Sequence, residues 1–325
     1  MQSDQIGITY LDYYIPTTTV SVNEVFELMQ AQGVIVFPED VACSKELFIL
    51  ELKRGLECQN VPVEFGTNGY GMIDTLLTKY RQRFPDNDID LIIFSGNFSP
   101  LTDGYSTPHR LIEKHQLESA YIFEAGNRCC SISTAMQLAK MYLTTNRESR
   151  RALIVSQNLI RNMADRFHQG NSIEGDGASL AVIESASTNV IQAHEFRNAG
   201  KFNRYLFDNS LKEVSSLFIQ YAGIGASLAH QMMARHSLTP ADIDQVIIQN
   251  MSTIMARITS RKTGIPEGKI FTKNITKYGH ISDLDFIINL KDYLATCEAG
   301  GKILCQNTGA GLTADVTLIV NARSI

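Results

Sequence analysis

The sequence predicts an α/β protein built from two similar halves, and three observations carry that prediction. Short β-branched runs at 91–94, 152–156, 180–184, 246–248, 302–305 and 316–320 read as buried strands. Between them, periodic apolar segments at 22–30, 71–83, 132–144, 214–236, 252–263 and 284–294 read as helices. Such alternation argues for layers with largely parallel sheets. A weak internal repeat then divides the chain into corresponding halves, expected at 1–175 and 176–325.

The elements follow one another along the chain with local reasons. Residues 22–30 place Val22, Val25, Phe26 and Met29 on one helical face. The run Leu91-Ile92-Ile93-Phe94 is apolar at every position, as a strand covered on both sides must be. Segment 132–144 follows Gly126-Asn127-Arg128-Cys129, a helix-starting stretch. The uncharged stretch Val214 to Ala234 carries Ser215, Ser216, Gln220, Ser227, His230 and Gln231 at roughly helical spacing. That mixture reads as a buried amphipathic helix, not a membrane span. Segment 284–294 follows Tyr278-Gly279-His280, a second helix start.

The repeat rests on three pairs in the same order. Asp88-Ile89-Asp90-Leu91-Ile92-Ile93-Phe94 recurs 154 positions later as Asp242-Ile243-Asp244-Gln245-Val246-Ile247-Ile248. Cys129 and His280, at corresponding helix starts, are 151 apart. The strand run ending Ser156-Gln157-Asn158 recurs as Cys305-Gln306-Asn307, with Gln157 and Gln306 separated by 149. Two halves packed about a pseudo-twofold axis bring equivalent helix N-termini together, so Cys129 and His280 are expected to face one another.

Composition narrows the class. The 325 residues carry 29 Lys+Arg against 34 Asp+Glu, a net charge of −5, with 44% hydrophobic and 19% charged residues. That is ordinary globular composition without the basic footprint of a nucleic-acid or anionic-membrane partner. The N-terminus has neither a basic nor an apolar leader segment, so a soluble, cytoplasmic protein is expected. The six cysteines, at 43, 58, 129, 130, 297 and 305, form neither CxxC nor a Cys/His quartet. Free thiols are expected, without a metal site.

A thiol at a helix N-terminus sits where backbone N–H groups and the positive end of the helix dipole favour its thiolate. An imidazole delivered from the other half can take the thiol proton or protonate a leaving group. Cys129 and His280 are thus a minimal set for acyl transfer through a thioester. Arg128 adds to it if its side chain points inward. The glycine-rich turns Gly175-Asp176-Gly177-Ala178 and Gly309-Ala310-Gly311-Leu312-Thr313 are candidate sources of oxyanion donors. Asp285 and Asp283 are equal candidates to orient His280. His109, His115, His168, His194, His230 and His236 are read as structural or surface residues, with His109 and His168 in loops that can approach the site.

At these residues the sequence resembles the thiolase-fold condensing enzymes, particularly the ketoacyl-ACP synthase III type. The resemblance runs from Gly7-Ile8-Thr9-Tyr10 and Ile15-Pro16 through the Cys129 segment and Glu174-Gly175-Asp176-Gly177-Ala178 to Lys277-Tyr278-Gly279-His280 and Gly309-Ala310-Gly311-Leu312-Thr313. It implies a thiolase-like fold of duplicated α/β halves in an αβαβα arrangement. It also implies Cys129, not Cys130, as nucleophile, small residues at Ala135 and Ala139 on a buried helix, and an oxyanion hole from the N–H groups of Cys129 and Ala310.

The departures from the family pattern bear on chemistry. The family's catalytic His position holds Gln249, in Gln249-Asn250-Met251-Ser252, and its catalytic Asn position holds His280. The Cys-His-Asn set has become Cys129, Gln249 and His280. The chain has no Trp, so the family's adenine clamp for CoA is absent. Arg166, Arg257 and Ser252 are the positions assigned to a carrier phosphate. The position at which the family borrows a bulky residue from a neighbouring subunit falls near Ser106-Thr107-Pro108.

The resulting expectation is an acyltransferase of specialised, polyketide- or fatty-acid-like metabolism. Cys129 takes the acyl group from an acyl carrier protein or CoA thioester, and His280 deprotonates a small-molecule acceptor. No permanently bound cofactor is expected; the phosphopantetheine of the carrier, or CoA, arrives with the donor. Two other readings stand beside it, a condensing enzyme that forms C–C bonds and a catalytically degenerate partner subunit. A homodimer is expected from the resemblance, or a heterodimer with a paralogue.

Overall fold

All six β-branched runs lie within strands, each of which extends its run by one to four residues. In the computed structural model, residues 5–33, 44–66, 69–85, 88–96, 107–168, 172–200, 211–297, 300–309 and 312–320 are described. The first half comprises β1 (Gly7–Tyr14), β2 (Thr19–Ser21), α1 (Val22–Ala31), α2 (Lys45–Leu56), β3 (Asn60–Pro62), α3 (Tyr70–Arg83), β4 (Leu91–Gly96), α4 (Thr107–His115), β5 (Tyr121–Ala125), α5 (Ser131–Thr145), β6 (Arg151–Asn158), β7 (Phe167–His168), β8 (Ser172–Ile173) and β9 (Gly177–Glu184). The second comprises β10 (Val190–Asn198), α6 (Leu211–Arg235), β11 (Gln245–Ile248), α7 (Thr253–Thr263), β12 (Ile270–Phe271), α8 (Ile275–Tyr278), α9 (Asp285–Leu294), β13 (Lys302–Gly309) and β14 (Thr313–Val320).

The strands run in the order β12-β11-β13-β14-β10-β1-β9-β6-β4-β5. This is one five-strand pattern used twice. β4 lies parallel between β5 and β6, β9 is antiparallel to β6, and β1 to β9. Likewise β11 lies parallel between β12 and β13, β14 is antiparallel to β13, and β10 to β14. The two sets join where β1 meets β10, at the pair Gly7↔Val190.

The register corrects two expectations. Leu91 pairs with Ala152 in the first half, and Gln245 pairs with Ile303 in the second. With Leu91 and Gln245 154 apart, β6 and β13 correspond at 151, so the partner of Gln157 is Thr308 and not Gln306. The boundary also moves. β9 completes the first sheet, so the halves meet between Glu184 and Val190 instead of at 175/176.

Burial defines five layers. Leu91, Ile93, Ala152 and Ile154 of one sheet and Ile247, Ile303, Cys305 and Ile319 of the other share a core with Ile132, Ala135, Met136 and Ala139 of α5 and Phe286, Ile287 and Leu290 of α9. The opposite face of the first sheet packs on α3 and α4 through Ile92, Phe94, Leu76 and Leu111. That of the second packs on α6 and α7 through Val246, Ile248, Met232 and Ala256. The arrangement is α3/α4, sheet, α5/α9, sheet, α6/α7. Such double cover is why both sheets read as unbroken apolar runs. Among the described residues no helix is long and apolar enough to cross a membrane.

Candidate active site

Cys129 lies on the turn leading β5 into α5. Ser131 fastens that turn: its hydroxyl accepts the Asn127 N–H at 2.7 Å and donates to the Arg128 carbonyl at 2.5 Å. Asn127 Nδ2 adds a bond to Thr134 Oγ1 at 3.0 Å. Arg128 takes a left-handed conformation (φ 51°) to close the turn, and its side chain is exposed rather than turned inward toward Cys129. No side chain caps α5, whose N-cap is Cys130, so the helix end is not filled by a polar group of its own. The end of β13 approaches this turn closely. A Cβ on Gly309 would stand 3.3 Å from the Asn127 carbonyl oxygen and 3.5 Å from the Cys129 nitrogen.

His280 reaches the same point from the other half. Gly279, at φ 67°, ends α8 and turns the chain. The His280 carbonyl accepts the Gly175 N–H at 2.9 Å, and its own N–H reaches the Ile173 carbonyl at 3.3 Å. Its ring is 3% exposed, with Nδ1 2.5 Å from Asp285 Oδ2. Cys129 is the ring's other hydrogen-bonding neighbour. Burial opposes a charge on this imidazole, but Asp285 outweighs it, by charge and by hydrogen bond, and Cys129 adds to the effect. The pKa is raised well above its ordinary value.

Asp285 therefore faces His280, while Asp283 looks elsewhere. Asp283 Oδ2 accepts from Ser156 Oγ at 3.0 Å, and burial pushes its carboxyl up to about 7. Ser282, in the left-handed region (φ 53°), points its hydroxyl at Cys129 Sγ, 3.6 Å away. Buried Tyr221 of α6 feels the charge of Cys129 and Cys130, and its phenol is held well above its ordinary pKa, mainly by burial.

The comparisons with known proteins bear on the fold and on what the chain resembles. Residues 233–320 match the family model described as 3-oxoacyl-[acyl-carrier-protein (ACP)] synthase III C terminal. Beta-ketoacyl-[acyl-carrier-protein] synthase III of Streptococcus pyogenes serotype M2 is 20% identical, over 94% of this chain and 96% of that protein. The crystal structure of 3-oxoacyl-[acyl-carrier-protein] synthase III from Aquifex aeolicus VF5 superposes with a TM-score of 0.76 at 17% identity, covering 97% of this chain and 99% of the other. The structure of ChlB3, named as an acyltransferase, gives 0.77 at 18% identity, covering 98% of each chain. The chain therefore has the thiolase fold and is similar to the ketoacyl-ACP synthases III.

Other residues singled out from the synthase III-like sequence fall in different places. Gln249 points at the backbone of Cys129 and not at its sulfur. Its Nε2 donates to the Cys129 carbonyl at 3.1 Å, while its Oε1 accepts the Thr308 N–H at 3.0 Å and hydroxyl at 3.1 Å. Both ends of the amide are occupied by protein. Arg166 requires a correction: it is fully buried, forked onto Asp176 at 2.7 and 3.0 Å, and unavailable to a carrier phosphate. Ser252 is also committed, as the N-cap of α7 accepting the Met255 N–H. Of the three positions assigned to that phosphate, Arg257 alone is exposed.

The turn at 175–178 supplies no oxyanion donor. The Gly175 N–H goes to His280 and the Asp176 N–H to Pro62, and Gly177 enters the β9 ladder. The turn instead straps His280 in place. Ala310 and Ser106 lie outside the described residues. Among the histidines, His115 pairs with Asp74, His194 with Thr317 and His230 with the Lys262 carbonyl. His109 opens α4, and His168 has its backbone in β7. Sequence reasoning missed Ser282, Tyr221, Thr308 and the asparagines around Asp285. For Ser282 the signal was adjacency to the His280 turn; Tyr221 carried none, because α6 is distant in sequence.

Proposed function

We infer that this protein is a thioester-forming acyltransferase with Cys129 as nucleophile and His280 as its acid–base partner. The observation that carries the reading is the Asp285–His280–Cys129 alignment, with one ring nitrogen held by a carboxylate and the other left for the sulfur. His280 takes the Cys129 proton and keeps it as imidazolium against Asp285. The thiolate attacks the donor's carbonyl carbon, and the oxyanion forms beside the N–H groups at the uncapped start of α5. The intermediate collapses by breaking the donor's C–S bond. The imidazolium returns its proton to the departing thiol, leaving acyl-Cys129. An acceptor then gives its proton to His280 and displaces Cys129 from the acyl group.

The donor is an acyl carrier protein or CoA thioester, whose carrier arm enters by a cleft of about 320 Å³ lined by Val22, Asn23, Lys53, Arg54, Glu57, Cys58 and Gln59. A Cβ on Gly279, the residue before His280, would stand 3.3 Å from Cys58 Sγ, so the cleft wall backs onto the catalytic turn. Across it, Glu57 receives the Thr253 N–H at 2.7 Å, which ties the start of α7 to the cleft. Arg257 lies one turn further along and donates to Thr253 Oγ1 at 3.4 Å. Lys53, Arg54 and Arg257 make this rim cationic, which suits a phosphate.

Transfer is favoured over decarboxylative condensation by Gln249. A condensing site needs a second donor for the enolate oxygen, and the Gln249 amide is engaged by Cys129 and Thr308. The condensing reading keeps support from the synthase III relatives. A homodimer is part of the proposal, to be read by light scattering.

The test is intact-protein mass after incubation with acyl-CoA and acyl-ACP donors, wild type beside Cys129→Ala. A donor-sized adduct on wild type alone supports the thioester enzyme and identifies the donor. Cys129-dependent release of CO₂ from labelled malonyl-ACP would move the reading to condensation. No adduct from any donor, in folded protein, would move it to a partner subunit.

A further inference from the structure

The His280–Asp285 pair does not end at Asp285. Two donors reach each oxygen of that carboxylate. Oδ2 faces His280 Nδ1 at 2.5 Å and accepts the Asn250 N–H at 2.8 Å. Oδ1 accepts Asn250 Nδ2 at 3.1 Å and the Ile281 N–H at 2.9 Å. With four acceptor sites filled, the side chain has no place for a proton of its own.

Behind Asn250 runs a chain of carboxamides. Asn250 Oδ1 accepts from Asn289 Nδ2 at 2.9 Å, and Asn289 Oδ1 accepts from Asn274 Nδ2 at 2.9 Å. Asn289 Nδ2 also donates to the Ile248 carbonyl at 2.8 Å, which ties the chain to β11. Asn274 Nδ2 donates its second hydrogen to Asp292 Oδ2 at 2.9 Å, and Asp292 Oδ1 accepts from Tyr13 at 2.8 Å. The three asparagines are 1%, 0% and 2% exposed.

Each amide fixes the next. Nδ2 of Asn250 must face the carboxylate, so its Oδ1 faces Asn289, which must answer with Nδ2; the same logic passes to Asn274. All three dipoles consequently donate toward Asp285, the arrangement in which successive bonds strengthen one another. On α9 the pattern is Asp285, Asn289 and Asp292, spaced to share one face of the helix.

We propose that Asn250, Asn289 and Asn274 are positioning residues for the His280–Asp285 pair, an oriented amide chain that keeps Asp285 an acceptor only and so aims the free ring nitrogen of His280 at Cys129. The inference rests on the reading of Cys129 and His280 as the reactive pair. It assigns the asparagines no contact with substrate. The ionisable groups around the pair are Cys129 from the α5 turn, Asp283 from the turn before α9 and Cys58 behind Gly279. Asp292, Tyr13, Tyr278 and Lys291 lie at the far end of the chain.

The test needs no acyl donor, so its failure is separable from failure of the proposed function. The rate of Cys129 alkylation by iodoacetamide is measured against pH in wild type, Asn289→Leu and the isosteric Asn289→Asp, with Cys129→Ser as background. Asn289→Leu fills nearly the same space, adds no charge and removes the donor that orients Asn250, whereas Asn289→Asp faces two acceptors and shows what an added acid does at the same place. The expected result is an inflection moved by about one pH unit, and alkylation at pH 7 slower by roughly tenfold, in both variants. The short His280 Nδ1–Asp285 contact should give wild type a far-downfield proton in the NMR spectrum, and both variants should lose it. A role confined to stability would lower Tm but leave the inflection and that proton of the folded protein unchanged, and this result in Asn289→Leu would overturn the proposal. An adduct-forming enzyme with an unmoved profile sinks the amide chain and leaves the function standing. A moved profile in a protein that accepts no donor does the reverse.

Discussion

Replacing Asp285 by Asn tests the catalytic alignment most directly, because the substitution keeps shape and removes only charge. In the native protein four donors converge on this carboxylate. An amide presents one acceptor oxygen and one donor nitrogen, so two of the four must then face N–H against N–H. His280 has one way to relieve its share, which is to accept at Nδ1 and carry its proton on Nε2. That tautomer turns a donor toward Cys129 and cannot take the thiol proton. The charge lost is also large. An ion pair about 4 Å between charge centres, at an effective dielectric of about 20, is worth about 4 kcal/mol, which corresponds to a rate loss of roughly 10³-fold. Single-turnover acylation of Cys129, followed by mass, should fall by about that factor between Asp285→Asn and wild type, with folding monitored by circular dichroism. Acylation within tenfold of wild type in the folded variant would refute the assigned role of Asp285 and the tautomer argument with it.

Three further outcomes are expected. Burial raises the Asp283 carboxyl from 3.8 to about 7, so the folded state holds a proton that the unfolded state releases as pH rises from about 4 to 7. Stability therefore falls across that window, and Asp283→Asn should flatten the pH dependence by up to about 4 kcal/mol in urea titrations; a parallel curve would refute the assignment. Arg166→Ala should destabilise by about 3–5 kcal/mol, because it strands the buried Asp176 carboxylate, and calorimetry would read this as a drop in Tm. Arg257→Ala should raise KM for a carrier-protein donor several-fold with kcat little changed, while an unaltered KM would remove Arg257 from the donor rim.

Much of the fold was legible because both sheets are covered on two faces and so leave unbroken apolar runs. Among the strands that sequence reading missed, β1 is central and mostly buried but alternates Thr9, Asp12 and tyrosines with its apolar positions, whereas β5 and β10 are less covered. β5, at the sheet edge, has only half-buried and exposed positions, and β10 carries His194, Glu195 and Arg197 within its length. Neither produces the continuous run that marked β4 or β13. Gln157 was paired with Gln306 because identical side chains suggested it, whereas the hydrogen-bond ladder puts the correspondence two residues on, at Thr308. Arg166 was misjudged for a related reason. Nothing in the sequence around Arg166 shows that its guanidinium is taken, and only the folded chain brings Asp176 beneath it.

The sequence by itself determined the alternation of strands and helices, the duplication, and the equivalent positions of Cys129 and His280 in the two halves. These are properties of spacing, and spacing survives in one dimension. The tertiary structure alone decided which of two aspartates faces His280, where the Gln249 amide points and what stands behind Asp285. Asp283 and Asp285 are two residues apart with the same side chain, so local pattern treats them alike. The turn at Ser282 sends one carboxylate toward Ser156 of the first sheet and the other toward Asn250 at the end of β11. Direction of a short polar side chain is set by the donors that long-range packing brings to it. Those donors are 35 residues from Asp285 in one case and 127 from Asp283 in the other.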